Sequence, residues 1–225
     1  MRPGSITKRT RKIPRSAALL LGVLVLIVIS PSLSFKGGRL VAELIFDVIF
    51  MTGVYAVGLS RHRWAFAGLS AITLAVRWTE LLHNGGGLDV LALGLTAIWL
   101  AYAASVIIVD LFQRSDVNSD TILGAIVTYL PVGIAFMMVF QVLELRYPGS
   151  FSGLPEGAHD HRHAMASSMM YFSLVCLTTM GYGDIAPVTD FARPLSVLEG
   201  VFGQLYLAVM IARLVGLHIT RQKDG

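Results

Sequence analysis

The 225-residue sequence contains one cysteine, Cys176, and only 14% charged residues against 55% hydrophobic ones. A single cysteine cannot form a disulfide within the chain, and it has no cysteine or histidine partner at zinc-finger spacing. So few charged residues cannot cover the surface of a soluble globule. The composition therefore excludes a disulfide scaffold, a structural zinc site and an ordinary soluble domain, and it indicates that lipid surrounds most of the chain.

The sequence also lacks the usual features of enzymes. It has no phosphate-binding glycine loop, no nucleophile with a plausible base at depth and no intramembrane carboxylate pair at metal-ligand spacing. We predict that the chain is not an enzyme and uses no cofactor. Its net charge of +4 does not indicate nucleic acid, because six of the eighteen Lys and Arg residues lie in the first fifteen positions, ahead of an apolar run. That placement is typical of a cytoplasmic flank.

Apolar segments long enough to cross a bilayer fill most of the chain. A helix needs about 20 apolar residues to span the hydrocarbon, and six segments qualify: 17–35, 40–60, 64–83, 88–112, 121–146 and 194–218. The basic start and the apolar run 17–29 also fit a signal peptide, but no clear cleavage site follows. Between the last two segments lies a shorter apolar run, Met165 to Leu177, which suits a re-entrant helix.

Basic residues predict the orientation. With the N-terminus in the cytoplasm, the inner side holds twelve Lys and Arg and the outer side five, as the positive-inside rule favours. Both termini are then cytoplasmic and 147–193 faces outward, in a multi-pass protein of a prokaryotic plasma membrane. The predicted organisation is a basic tail (1–16), a four-helix peripheral domain (17–114), a pore domain (115–219) and a short cytoplasmic tail (220–225).

The segment that carries the chemistry is Thr178-Thr179-Met180-Gly181-Tyr182-Gly183-Asp184. Its two alternating glycines allow backbone angles that place successive carbonyl groups on one side. A line of carbonyl oxygens can replace the water shell of a cation. Because non-helical backbone at membrane depth must be buried in protein or line a wet cavity, this segment should lie on an axis shared by several subunits.

This segment resembles the filter of the potassium-channel family, which reads Thr, an apolar residue, Gly, Tyr, Gly and commonly Asp. Six consecutive positions, Thr179 to Asp184, match. The resemblance implies K+ as the permeant ligand, bound by the carbonyls of Thr179, Met180, Gly181 and Tyr182 and by the Thr179 hydroxyl, with Gly183 completing the filter. It also implies that Thr178 supports the filter, Tyr182 braces it and Asp184 lies at the outer mouth. Met180 replaces the commoner Val or Ile and packs less rigidly.

The last apolar segment supplies candidate gating residues. Gly200 and Gly203 interrupt it, and the resemblance makes Gly203 a candidate hinge; close helix packing through small residues is the alternative. An apolar stripe follows that either lines the inner pore or is a packing surface: Leu207, Ala208, Ile211 and Val215.

The first four segments resemble the peripheral domain of six-helix channels, with one departure. The fourth segment, Leu88 to Phe112, contains no Arg or Lys, so strong voltage dependence is not expected. Buried charge occurs elsewhere: Asp47 and Arg77 lie at similar depths and are predicted to form an ion pair, structural or modulatory. His159, His161 and His163 of the outer loop either sense metal or protons or are solvated bystanders.

These observations predict an all-α membrane protein with six transmembrane helices, a re-entrant pore helix and a selectivity filter, assembled as a homotetramer around a central pore. The predicted function is passive, K+-selective conduction. A non-conducting or regulatory membrane subunit and a weakly selective cation channel remain the alternatives. A potassium transporter subunit fits less well, since such chains carry four filter-like elements and this one carries a single intact element.

Overall fold

The computed structural model describes Leu44 and residues 46–48, 63–82, 87–113, 119–158 and 162–223. Within these ranges the elements are α1 (Arg63–Leu82), α2 (Asp89–Gln113), α3 (Ser119–Arg146), β1 (Phe151–Ser152), α4 (Arg162–Leu177), β2 (Ala186–Pro187) and α5 (Ala192–Lys223). The predicted segment 17–35 and most of 40–60 lie outside the described residues. The structure is mostly helical, as predicted, and α4 is the short helix expected between the last two long ones.

In the described part of the chain, three helices are long and apolar enough to cross a membrane. These stretches are Asp89–Val109 of α2, Gly124–Arg146 of α3 and Ala192–Gly216 of α5. The predicted third span, 64–83, coincides with the helix α1. However, α1 is not among the three apolar stretches, because Arg77 and Glu80 in its second half make it less apolar. The described helices are those of an all-α membrane protein, and the count of six spans stays a prediction.

A compact aromatic contact joins α1 to α2. The rings of Phe66 and Trp99 stack with centroids 5.1 Å apart, and both side chains are almost completely buried. The indole nitrogen of Trp99 donates a hydrogen bond of 2.7 Å to the Ser70 hydroxyl. A buried indole without an acceptor would lose free energy, so Ser70 allows this large side chain to lie in the core.

A second aromatic cluster joins α3, β1 and α4. The rings of Phe140, Phe151 and Phe172 meet edge to face, with centroid separations of 5.1 to 5.4 Å. Such pairs contribute about 0.5–1.5 kcal/mol each beyond the burial of their area. This cluster fixes the second half of α4 against α3 and so positions the segment that follows α4.

The helix α5 packs against both α3 and α4. It runs on to Lys223, beyond the predicted end of the last segment at 218, while its apolar stretch ends at Gly216. At its lower end the Arg213 guanidinium lies over the Phe112 ring of α2, 5.0 Å from the ring centroid. The last helix therefore contacts the C-terminal end of α2.

Candidate functional site

The helix α4 ends in a regular hydrogen-bonded cap. The Met180 N–H bonds to the Val175 carbonyl at 3.0 Å, and the Thr179 N–H bonds to the Cys176 carbonyl at 2.9 Å. These are the two hydrogen bonds of a Schellman motif, with Thr179 in the left-handed position after the helix. Glycine is the usual residue there. Thr179 takes the position with φ of 58°, which costs a β-branched residue about 1–3 kcal/mol and is typical of ligand-binding segments.

Left-handed residues alternate along the segment that follows α4. Positive φ angles occur at Thr179 (58°), Gly181 (59°) and Gly183 (79°), and the intervening Met180 and Tyr182 do not share them. Alternation of this kind turns successive peptide planes so that their carbonyl groups point to one side. A line of carbonyl oxygens on one side of a chain is the arrangement that can coordinate a dehydrated cation.

The carbonyl oxygens in the last turn of α4 already accept hydrogen bonds from other groups of the chain. The Leu174 oxygen accepts from the Thr178 N–H and hydroxyl, and Val175 and Cys176 accept the two cap bonds. The Leu177 oxygen accepts a hydrogen bond of 2.8 Å from the Tyr129 hydroxyl of α3. The carbonyl oxygens left for a cation are therefore those of the segment itself, while the peptide dipoles of α4 still point their negative end toward it.

An aromatic pair and a carboxylate hold the outer end of the segment. The rings of Tyr171 on α4 and Tyr182 stack with centroids 6.4 Å apart and planes 6° from parallel. The Tyr171 hydroxyl also donates a hydrogen bond to Asp184, which lowers the pKa of that exposed carboxyl from its ordinary value. Asp184 is thus kept negatively charged at the far end of the segment from α4.

The outer loop is tied to the same end by a buried carboxylate and a short strand pair. Glu144 is fully buried, and its two oxygens accept the backbone N–H groups of Gly149 at 2.8 Å and Phe151 at 3.0 Å. These bonds set β1, which pairs antiparallel with β2 just after Asp184. A side chain at Gly153 would overlap the Asp184 carbonyl, and its φ of 80° also favours glycine. The loop therefore packs directly on the backbone of the segment's outer end.

Behind α4, one hydroxyl contacts both neighbouring helices. The Ser173 hydroxyl lies 2.6 Å from the Gly133 carbonyl of α3 and also within hydrogen-bonding distance of Glu199 on α5. One turn further along α4, the Cys176 thiol contacts the Ser196 carbonyl of α5 at 3.1 Å. These polar contacts hold α4 between α3 and α5.

Below α4, the backbones of α4 and α5 meet at Gly203. A methyl group at this position would overlap the Leu177 carbonyl oxygen, whereas one at Gly200 would find the Cys176 oxygen at an ordinary 3.7 Å. Only glycine permits the first of these approaches. The structure therefore supports the close-packing interpretation of Gly203, and the hinge stays a prediction.

The inner side of the segment carries a polar side chain from α5. The Gln204 amide nitrogen donates a hydrogen bond of 2.8 Å to the Thr179 hydroxyl, and both residues are exposed in the single chain. The predicted pore-lining residues continue below Gln204 and are likewise exposed: Leu207, Ala208, Ile211 and Val215. Their exposure places them on a surface that the described part of the chain leaves uncovered.

Comparison with known proteins addresses this part of the chain. Residues 158–218, which include all of α4, the segment after it and most of α5, match the family model described as an ion channel. The match supports an ion-channel family. That family is not one of enzymes, which confirms the prediction that the chain is not an enzyme. The ion-channel segment, as we call residues 158–218, and the three apolar helices together indicate a membrane protein with a channel function.

Two curated relatives extend the likeness beyond the ion-channel segment. Protein LctB of Bacillus caldotenax is 25% identical over 129 residues, which cover 57% of this chain and 96% of the relative. Protein LctB of Geobacillus stearothermophilus is 26% identical over 120 residues, covering 53% of this chain and 89% of the relative. No solved structure matches the chain.

Two predicted sets of residues are not part of the site described above: the Asp47–Arg77 pair and the three histidines of the loop before α4. The Arg77 guanidinium lies 4.3 Å from the Phe46 ring centroid and donates to the Thr96 hydroxyl at 3.3 Å. The Asp47 Oδ1 atom is buried without a hydrogen-bond partner among the described residues, so the Asp47–Arg77 pair stays a prediction. The side chains of His159, His161 and His163 lie outside the described part of the chain.

Several residues of the site were not found from the sequence. Tyr129, Glu144, Ser173 and Gln204 act through contacts with partners far along the chain or on another helix, and no local pattern marks them. Glu199 carried a usable signal, since an acidic residue inside an apolar membrane segment is rare and commonly functional.

Proposed function

We propose that this chain is the pore-forming subunit of a homotetrameric, K+-selective channel that conducts passively. The observation that carries the proposal is the alternation of left-handed residues at Thr179, Gly181 and Gly183 directly after a capped re-entrant helix. K+ would bind the carbonyl oxygens of Thr179, Met180, Gly181 and Tyr182, with the Thr179 hydroxyl as the innermost ligand. The sequence resemblance and the channel family both support this assignment.

The exposure of the same region supports assembly around an axis. Met180 and Tyr182 are 63% and 65% exposed in the single chain, beside the exposed polar groups of Thr179 and Gln204. Lipid cannot satisfy polar groups or non-helical backbone at this depth, whereas a water-filled cavity can. One filter strand per chain closes such a cavity only when several chains repeat around it.

The burial of the spans agrees with this arrangement. Within the chain, 59% of the apolar stretch of α3 is buried but only 28% of that of α5. A helix that lines a central pore receives its remaining contacts from neighbouring subunits, so a low buried share is expected of α5. We propose six spans per subunit, cytoplasmic termini and a plasma-membrane location. Weak voltage dependence is proposed because α2 contains no Lys or Arg.

The test is cation flux into liposomes that contain the purified chain, with K+ replaced by Na+ in parallel samples. We expect K+ flux to exceed Na+ flux and the substitution Gly181→Asp to abolish it, because a side chain at this left-handed position distorts the carbonyl line. The oligomeric state of the same sample is measured by native mass spectrometry. Equal K+ and Na+ flux would contradict selectivity and favour the weakly selective alternative; a monomer without flux would favour a regulatory subunit.

A further inference from the structure

Glu199 lies in the apolar stretch of α5. It is not part of residues 178–184, which we call the filter segment. Its side chain is completely buried, and it faces Ser173 of α4. A charged side chain within a membrane segment is costly unless it is paired with an opposite charge. Among the described residues, the groups that act on Glu199 are Ser173 and Cys176 of α4 and Tyr129 of α3, and none of these three supplies a positive charge.

Counting protons around Ser173 assigns the ionisation state of Glu199. The Ser173 oxygen lies within hydrogen-bonding distance of both the Gly133 carbonyl and a Glu199 carboxyl oxygen. A hydroxyl has one proton to donate, and a carbonyl oxygen can only accept. The Ser173 proton therefore goes to Gly133, and the proton between Ser173 and Glu199 must belong to Glu199. If Glu199 were ionised, one of these two close oxygen pairs would have no proton between them.

The other carboxyl oxygen agrees with this assignment. Glu199 Oε2 is buried and makes no hydrogen bond of ordinary geometry among the described residues, and the Cys176 thiol, which also acts on this carboxyl, is a weak donor. Leaving the carbonyl oxygen of a neutral acid unpaired is far less costly than leaving a carboxylate oxygen unpaired. The buried Glu144 differs in the same chain, since each of its two oxygens accepts a backbone N–H.

We propose that Glu199 is a positioning residue that acts as a neutral acid. It donates to Ser173, which donates to Gly133, and this relay locks the pore helix α4 to α5 and α3 so that the filter keeps its selective geometry. Loss of the Glu199 proton at alkaline pH breaks the relay and loosens α4. The inference rests on the proposed channel function, because filter selectivity is what the relay maintains.

The first test compares Glu199→Gln with Glu199→Ala in liposomes, from neutral to alkaline pH. The wild-type ratio of K+ to Na+ flux is expected to fall as the pH rises. Gln supplies an uncharged donor, so Glu199→Gln should keep the neutral-pH ratio and lose its alkaline decline. Glu199→Ala should lower the ratio already at neutral pH, because it removes the donor to Ser173. Equal behaviour of the Gln and Ala variants would overturn the proposal.

A second variant covers the case in which Glu199→Ala does not fold. Ser173→Ala removes the middle of the relay and leaves Glu199 in place, and it should lower the flux ratio as Glu199→Ala does. Ser196→Ala is the matched control, because among the described residues the Ser196 hydroxyl bonds to the Ala192 carbonyl within its own helix. If Ser173→Ala and Ser196→Ala give the same ratio as the wild type, the relay does not hold the filter.

Infrared spectroscopy separates this proposal from the channel function itself. At neutral pH the wild-type spectrum should contain the carbonyl band of a protonated carboxyl group that is missing from Glu199→Gln. The band is measured whether or not the protein conducts. Its absence would overturn the neutral-acid assignment even in a selective channel, and a band without any K+ flux would overturn the channel function while keeping the assignment.

Discussion

Replacing either of two glycines on α5 by alanine tests the contact between α5 and α4. Gly200 and Gly203 both lie inside the helix, so alanine removes the same conformational freedom at each and favours the helix by about 0.5–1 kcal/mol. At Gly200 the new methyl group lies 3.7 Å from the nearest atom, the Cys176 carbonyl oxygen. Gly200→Ala is therefore expected to be neutral or slightly stabilising.

At Gly203 the same methyl group overlaps the Leu177 carbonyl oxygen and also lies 3.3 Å from the Leu177 Cδ1 atom. The carbonyl cannot swing away, because it is part of the α4 backbone and accepts the Tyr129 hydroxyl. Relief therefore requires α5 to move, and overpacking of this kind costs about 1–3 kcal/mol. Since the helix-propensity gain cancels between the two variants, Gly203→Ala should be less stable than Gly200→Ala by about 1–3 kcal/mol.

The assay is thermal unfolding of both purified variants, together with K+ flux in liposomes. For a chain of this size each kcal/mol shifts the midpoint by about 2–4 °C, so Gly203→Ala should melt several degrees below Gly200→Ala. Equal midpoints and equal flux would refute the packing argument. Reduced flux at an unchanged midpoint would instead support the hinge that the sequence suggests for Gly203.

Three further predictions concern the two ends of the filter segment. Glu144→Gln leaves one backbone N–H facing an amide donor and should lower the free energy of unfolding by about 1–3 kcal/mol. Denaturant titration measures this change, and Glu156→Gln at an exposed position is the control that should alter it little. Tyr171→Phe removes the hydrogen bond that lowers the pKa of Asp184. As pH falls, the variant should lose this charge at a higher pH than the wild type, so its K+ flux should decline earlier on acidification; identical pH profiles would contradict this. Gln204→Leu removes the donor to the innermost filter hydroxyl and should lower the ratio of K+ to Na+ flux, while Gln204→Asn should retain more of it.

The backbone geometry of the segment after α4 could be predicted from the sequence because it is local. Glycine at 181 and 183 permits the left-handed angles that the structure shows, and the short apolar run before them is the helix α4. The left-handed angle of Thr179 was not predictable, since a β-branched residue ordinarily avoids it. The helix cap imposes that angle, and a cap depends on where the helix ends.

The contacts that hold α4 and the segment after it could not be predicted from the sequence, because the partners in each contact are far apart along the chain. Tyr129 reaches Leu177 across 48 positions, and Ser173 reaches Glu199 across 26. A spacing rule follows helical periodicity within one element and carries no information about which residue of another helix lies opposite. Gly203 shows the same limit, since sequence left packing and hinge equally open and only the neighbouring carbonyl favours one of them.

The contact at Gly203 also constrains how the channel can open mechanically. Its backbone abuts the end of α4, and the next residue, Gln204, holds the Thr179 hydroxyl. Rotation or sliding of α5 at this level would therefore displace the Thr179 hydroxyl. If the proposed channel opens by a movement of α5 while the segment after α4 stays in place, α5 must bend below residue 204.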